Sequence, residues 1–429
     1  MASGPVELTI ERPVAGGRML ARADGRVVLV AGAIPGETVR ARIERVERGV
    51  AFARVEAVLT PSPDRREPFF DAACGGGVYA HIDPARQVTL KRDVILDGLR
   101  RGAGLTWDAP LAVAASPERG YRLRARLHVR DGRVGFFKEG THALCDAAPS
   151  AQLAMASLDA ARRLVDALGA VFGAASADSV EISENLDGTE RAAHLHPADR
   201  ALTATAIPAP LAARLLVDGL TGVSVAAAGG SALTLAGDPT VGDDLARIVP
   251  GAAPGKGLRR HAASFFQGNR FLVGRLASAV VDAVPDAPVW DLYAGVGLFA
   301  AALGAVGRDR VTAVEGDPLS SADLRGNAAA FAGRLAVETG AVEDVLAATT
   351  LPADATVIVD PPRTGLSKAV TAALAASAVR RIVYVSCDVA TLARDIKAFA
   401  ASGFVLTSLE GFDLFPNTAH VETLAVLDR

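Results

Sequence analysis

The chain is poor in cysteine, in aromatic residues and in long apolar runs, and each shortage narrows what it can be. Three cysteines among 429 residues, Cys74, Cys145 and Cys387, are too few and too scattered for a disulfide framework or a Cys-x-x-Cys metal site. A cysteine that matters here is expected to act alone, as a reduced thiol. No apolar run is long enough to span a bilayer, and the amino terminus lacks a signal-peptide pattern, so the expectation is a cytoplasmic protein with no membrane partner. A basic excess is missing too: the net charge is −3, which argues against a uniformly basic nucleic-acid binder. The distribution is uneven, however. Residues 1–135 carry 22 Lys and Arg against 16 Asp and Glu, an excess of +6 that leaves −9 for the rest. A basic front on an acidic half suits an enzyme directed at RNA.

What is present is ordinary for a soluble chain of two or three domains: 50% hydrophobic and 22% charged residues, with much alanine and far more arginine than lysine. Residues 1–60 show short alternating strands at 6–10, 26–30, 38–43 and 51–59, with turns at Gly16-Gly17, Asp24-Gly25 and Pro35-Gly36. Such spacing predicts a small β-barrel, decorated by Arg40, Arg42, Arg45, Arg48 and Arg54. After the linker Pro61-Ser62-Pro63, a helix is expected over 83–101. Residues 121–130 then alternate strictly, with Arg122, Arg124, Arg126, His128 and Arg130 on one face and Leu123, Ala125, Leu127 and Val129 on the other. Like charges so close want phosphates or carboxylates nearby. Arg122, Arg124 and Arg126 are therefore candidate RNA contacts, the alternative being pairing with a neighbouring acidic strand. A helix over 150–168 and a strand over 178–182 follow, and 185–250 reads as scaffold without a catalytic motif.

The last third carries the chemistry. A strand over 288–292 runs into Tyr293-Ala294-Gly295-Val296-Gly297, and the next strand, 311–315, ends on Glu315. The glycines let backbone approach a ligand, and an acid at the end of the next strand suits two ribose hydroxyls. Gly295, Gly297 and Ala300 also fit dinucleotide spacing, so this turn alone does not separate a nicotinamide from S-adenosylmethionine. Two further buried strands end in Asp360-Pro361-Pro362-Arg363 and in Ser386-Cys387, and the carboxyl ends of parallel strands are where such sheets keep their sites. Near the end of the sequence, Phe412 to Glu422 leads into a strand over 421–427, with His420 and Glu422 at alternate positions.

The segments DPPRTGLS, SCDVATLARD and FPNTAHVE, with Ser264–Asn269 and the glycine turn, resemble the RNA uracil-5-methyltransferase family, which uses S-adenosylmethionine to methylate uridines in ribosomal or transfer RNA. The first 60 residues resemble its TRAM barrel, especially at Gly36-Glu37. The resemblance implies an α/β fold in three parts: a TRAM-like barrel at 1–60, a central α+β domain at 61–255, and a class I, Rossmann-like methyltransferase domain at 256–429. It places cofactor contacts on Gln267, Tyr293, Glu315 and Asp360, the nucleophile on Cys387 and the base on Glu422. The residue types agree with it: a thiolate added at carbon 6 makes carbon 5 of uracil nucleophilic, and a carboxylate then removes the carbon 5 proton. Arg363 is placed to steady charge on the uracil oxygen. The expected substrate is a flipped uridine, most of all in 23S rRNA, bound by a monomer. A transfer-RNA uridine, or an RNA-binding assembly factor on a silent methyltransferase fold, is the alternative. A cytosine-5 methyltransferase would want a different proline–cysteine arrangement, and a nicotinamide oxidoreductase leaves Cys387 and Asp360 unexplained. One departure stands out. Many members hold an iron–sulfur cluster on four cysteines around Cys-Gly-Gly-Cys; here Cys74 remains, Gly77 ends that stretch, Glu67-Pro68 stands upstream, and Cys145 is offset from the fourth place. No metal and no cluster is expected.

Overall fold

The computed structural model describes residues 4–172, 177–198, 209–216 and 219–429. Strands β1 (Val6–Pro13), β2 (Met19–Ala23), β3 (Arg26–Ala31), β4 (Thr38–Glu47) and β5 (Val50–Thr60) close into a barrel in the order β1-β2-β3-β5-β4. Their alternate residues, including Leu8, Ile10, Met19, Val28, Val30 and Val39, fill the interior. Strand β2, absent from the sequence reading, does not alternate: Met19, Leu20 and Ala21 are buried in succession. Glu37 is fully buried after the Pro35-Gly36 turn, and its carboxylate accepts from the Ile34 N–H (2.8 Å), the Ser62 N–H (3.1 Å) and Arg65 (2.6 and 2.7 Å). That single side chain ties the linker to the barrel, since leaving any of these donors unmet in the interior would be costly.

Helix α1 (Pro84–Gly98) begins at an Asp83 cap that accepts from the Ala85 N–H at 2.9 Å, with proline in its first turn. A two-residue strand, β6 (Val113–Ala114), follows it. The central sheet is then built from β7 (Arg124–Arg130), β8 (Arg133–Phe137), β9 (Leu144–Asp146), β10 (Ala177–Glu184), β11 (Arg191–Pro197), β12 (Leu220–Ala226) and β13 (Ala232–Gly237). Their order is β13-β12-β11-β10-β7-β8-β9, with α2 (Met155–Phe172) packed on its apolar face. A short ribbon of β14 (Thr240–Asp244) and β15 (Gly257–His261) leads into the last layer.

That layer contains β16 (Val289–Leu292), β17 (Val311–Glu315), β18 (Leu335–Thr339), β19 (Thr356–Val359), β20 (Arg381–Ser386), β21 (Val405–Phe412) and β22 (Glu422–Asp428). The order is β18-β17-β16-β19-β20-β22-β21-β6. The first five run parallel, while β22 is antiparallel to both β20 and β21. Winding proceeds outward from β16 to β18 and resumes on its other side at β19, so the strand order reverses between β16 and β19. Such a reversal opens a crevice at the strands' carboxyl ends. α1 and β6 precede the central sheet in the chain but pack with this layer: Val94, Ile95 and Leu99 share a core with Ile382, Tyr384 and Leu392.

One feature departs from expectation. Cys74 and Cys145, 71 residues apart, are joined in a disulfide with Cα atoms 5.8 Å apart; the pairing of β9 with β8 and a bridge between Cys74 and Lys138 bring them together. The expectation of lone, reduced thiols fails for this pair, because adjacency across a sheet is invisible in linear spacing; Cys387 is free. Arg260 is fully buried, paired with Asp243, donating to the Glu184 carbonyl (2.7 Å) and lying 3.9 Å over the Phe266 ring. It joins the β14–β15 ribbon to the central sheet.

Thiol titration of the denatured, unreduced protein should give one thiol per chain, rising to three after reduction. Arg260→Met should cost roughly 3–5 kcal/mol in chemical denaturation, because it strands the buried Asp243 charge; Arg260→Met with Asp243→Leu should recover most of that loss.

Candidate active site

Strand β20 delivers the thiol. Its residues Ile382 to Ser386 are buried on both faces, and the strand ends where Asp388 caps the helix Val389–Ala400 by accepting from the Ala390 (3.0 Å) and Thr391 (2.9 Å) N–H groups. Cys387 occupies the turn between strand and helix and is half-buried. Strand β22 lies beside β20 with Val385 opposite Leu424 and Ser386 opposite Thr423. The ladder ends there; Cys387 follows Ser386 and Glu422 precedes Thr423, so both lie at the same end of the strand pair, where the Glu422 charge acts on the thiol. Glu422 is 6% exposed. It also faces Phe412 on β21, where its strand begins.

On the other side, β19 ends at Asp360, whose carboxylate accepts from Gln267 Nε2 at 3.1 Å. The turn Pro362–Gly365 closes with a 2.8 Å hydrogen bond and leaves Arg363 exposed. Asp395, in the helix after Cys387, locks this turn: it accepts from the Leu366 N–H (3.0 Å) and from the Tyr384 hydroxyl (2.8 Å). The Asp-Pro-Pro-Arg turn and the cysteine are thus held by one carboxylate that the sequence argument passes over.

Electrostatics follow from this crowding. Burial pushes the Cys387 thiol up to about 11, the Glu422 and Asp360 carboxylates push the same way, and the Arg363 guanidinium opposes them. Burial raises Glu422 well above the ordinary carboxylate range, with Asp360 adding to it and Arg363 opposing. Asp360 rises to about 7 through burial, against the Gln267 hydrogen bond. Asp291, fully buried in β16, rises to about 8 through burial despite accepting from the Ala300 N–H at 3.0 Å. Carboxylates in a dry site lose hydration, and each disfavours ionisation of the next.

The crevice beside them is shaped for a ligand. Tyr293 (φ 62°) and Gly295 (φ 57°) turn the chain between β16 and the helix Leu298–Ala305, and the space a Gly295 Cβ would enter is open. At Gly297, φ is 89° and a Cβ would lie 2.5 Å from Leu324, so glycine is required on both counts. Glu315 accepts from the Gly295 N–H and the Asp317 N–H, each at 2.7 Å. Asp291 Oδ1 is buried with no hydrogen-bond partner, an acceptor left for a donor from outside the chain. Asp291 was legible in principle as a carboxylate inside an otherwise apolar strand just before the glycine turn.

The arginines of the 122–130 segment divide. Arg122 donates to Gln152 (2.9 Å) and lines a cavity of about 380 Å³ with Tyr121, Gln152, Arg363, Phe415 and His420. Arg124 is taken by Glu181 of β10 and by the Ala263 carbonyl (3.1 Å), and Arg126 by Ser179 (2.8 Å). The acidic neighbouring strand thus engages Arg124 while Arg122 reaches the cavity. His420 is held neutral by burial and by the charges of Arg363, Lys91 and Arg122.

The cluster site implied by resemblance does not fit these residues. Cys74 and Cys145 are bonded to each other, and among the described residues no group of three or more His, Cys, Asp or Glu is placed to hold a metal.

Comparison with known proteins agrees with this geometry. Residues 351–429 match the tRNA (Uracil-5-)-methyltransferase family model, and residues 5–55 match the TRAM domain. An uncharacterized RNA methyltransferase of Streptomyces coelicolor is 33% identical over 99% of this chain and 94% of its own. The 23S rRNA (uracil(1939)-C(5))-methyltransferase of Alkalilimnicola ehrlichii is 33% identical over 99% of this chain and 97% of its own, and that of Pseudomonas putida 31% identical over 98% and 93%. The crystal structure of Pyrococcus abyssi tRNA (uracil-54, C5)-methyltransferase with S-adenosyl-L-homocysteine superposes with a TM-score of 0.73 at 23% identity, covering 98% of this chain and 99% of that one, and shows the same fold.

Alkylation of Cys387 by iodoacetamide in the cofactor-free protein should still be accelerating at pH ~10, since an ordinary thiol would have levelled near its pKa of ~8.5. Glu422→Gln removes a neighbouring negative charge and should bring the inflection down; Arg363→Ala should move it up. An ordinary inflection in the unsubstituted protein would show that the carboxylates do not face the thiol.

Proposed function

The chain belongs to the S-adenosylmethionine-dependent RNA (uracil-5-)-methyltransferase family, and from that premise we propose that it methylates carbon 5 of a uridine in 23S rRNA through a covalent adduct with Cys387. What supports the mechanism is the pairing of β22 with β20, which brings Glu422 close enough for its charge to act on the Cys387 thiol. Its three parts divide the work: residues 1–60 and 61–255 hold the RNA, and residues 256–429 hold the cofactor and the reacting base.

The residues fit the cofactor. Glu315 offers its carboxylate to the ribose hydroxyls, the open Gly295 turn admits the ligand, and Tyr293 forms a wall. Gln267 and Asp360, bonded to each other, present a polar edge, and the unpartnered Asp291 Oδ1 accepts from the amino group. S-adenosylmethionine, when bound, supplies the methyl group that carbon 5 accepts.

The Cys387 thiol first gives its proton to solvent, a loss that the Arg363 guanidinium favours. The Sγ thiolate then bonds to carbon 6 while the pair of the ring double bond moves toward the ring oxygen, leaving an enolate whose carbon 5 is nucleophilic. Arg363, on the rim of the cavity, steadies the charge that develops on the ring oxygen. A Glu422 carboxylate whose proton affinity is raised by burial is suited to take the proton from the methylated carbon 5, after which the electron pair reforms the ring double bond and Sγ leaves. Both faces of the base take part, so the uridine must be out of its stack. Phe415 and Tyr121 border the cavity that such a nucleotide would enter, with Arg122 and Arg363 available to phosphate. The 23S rRNA assignment is supported by relatives named for that reaction at 31–33% identity.

Incubation with S-adenosylmethionine and rRNA or tRNA lacking 5-methyluridine, followed by mass-spectrometric mapping, should place the methyl group at one uridine of 23S rRNA. A product confined to tRNA would overturn the substrate assignment and leave the chemistry. Cys387→Ala should abolish turnover. Glu422→Gln should accumulate a denaturation-resistant protein–RNA adduct, and full activity in either variant would overturn the mechanism.

A further inference from the structure

Helix α1 touches the segments that flank both members of the proposed catalytic pair. At its carboxyl end Gly98 lies so close to Val389 that a Cβ there would come within 2.3 Å of the valine Cγ1, and Val389 opens the helix that follows Cys387. Gln87 and Lys91, one turn apart on the same helix and each 1% exposed, reach the loop 413–421 that carries the chain from β21 into Glu422.

The contacts are specific. Gln87 Nε2 donates to Asn417 Oδ1 (3.0 Å) and to the carbonyls of Tyr79 (3.1 Å) and Ile82 (2.9 Å), while its Oε1 accepts the Asn417 N–H (2.8 Å). Lys91 pairs with Asp413 and donates to the Phe415 carbonyl at 3.0 Å. Asn417 is buried with φ at 64°, a left-handed conformation that asparagine tolerates better than most non-glycine residues. Arg66 (2.9 Å) and the Tyr79 N–H (2.8 Å) complete its partners. A helix that needed only to pack would use leucine here. Burying an ammonium and an amide is costly unless every partner is placed, and what the cost secures is geometric definition.

We propose that Gln87 and Lys91 are positioning residues for Glu422: by fixing Asn417, Asp413 and Phe415 from the helix that also abuts Val389, they set the base relative to the nucleophile. The proposal rests on the assignment of Glu422 as base, and extends it to residues more than 300 positions away in the chain. Misplacing a reacting group by about 1 Å can cost on the order of a hundredfold in rate.

Two variants test it in the full chain. Gln87→Leu removes the Asn417 contacts, and Lys91→Met combined with Asp413→Leu removes the tether to Phe415 without stranding a buried charge. Two readouts separate positioning from simple support. In the cofactor-free protein the alkylation inflection of Cys387 reports the nearness of Glu422 whatever the chemistry, and should fall toward that of Glu422→Gln. With S-adenosylmethionine and RNA, kcat should fall about 10- to 100-fold with KM for RNA within about threefold, and the covalent adduct should accumulate. An unchanged inflection and kcat, or a loss confined to thermal stability or KM, would overturn the proposal. If Glu422→Gln yields no adduct while the inflection still falls in Gln87→Leu, the base assignment fails and the positioning stands. Should Gln87→Leu not fold, the double variant alone decides.

Discussion

A slip of one residue in an antiparallel ladder turns every side chain to the opposite face, and β22 has no room to slip. It is inserted between β20 and β21, bonded on both edges, with Thr423 through Leu427 buried. That fixed register sets a carboxylate from one end of the sequence beside a thiol from a parallel strand. β20 is in turn fixed by β19, so the Asp360 turn, the thiol and Glu422 arrive at one edge of one sheet. The site is thus assembled first by strand pairing, and sites on rigid elements are held to tighter tolerances.

The second constraint is charge. Asp291, Asp360 and Glu422 lie near one another in a dry crevice, and burial raises the proton affinity of each. Arg363 opposes this at Glu422 and at the thiol. A crevice so rich in carboxyl groups favours a cationic ligand, and S-adenosylmethionine carries positive charge on sulfur and on its amino group. On the other side Arg122 and Arg363 line a cavity with His420, whose proton affinity is lowered by burial and by the nearby cations.

The surface arginines show why composition alone misleads. On the barrel, Arg42 pairs with Glu56 and Arg54 with Glu44; in the central sheet, Glu181 engages Arg124. Many cations of the first 135 residues are therefore paired with neighbouring carboxylates, while Arg122 lines the cavity. The disulfide between Cys74 and Cys145 adds to this wall: Gly75, next to Cys74, accepts from Gln152, and Gln152 in turn accepts from Arg122 and Tyr121.

The sequence by itself determined what local chemistry can determine. Apolar β-branched runs such as Ile382–Val385 announce buried parallel strands, the glycines at 295 and 297 announce a turn that only glycine tolerates, and the Asp-Pro-Pro-Arg, Ser-Cys and His-Val-Glu segments announce the family. Each is a short-range pattern, legible because side-chain periodicity and backbone restriction act over a few residues. Only the tertiary structure decided which pieces meet. The pairing of Cys74 with Cys145, the capture of Arg124 by Glu181, the placing of α1 and β6 on the methyltransferase layer, and the hold of Gln87 and Lys91 on the loop before Glu422 all join residues far apart in the chain. Such contacts depend on sheet order and register, which are settled by burying the whole core at once, and no local pattern encodes them.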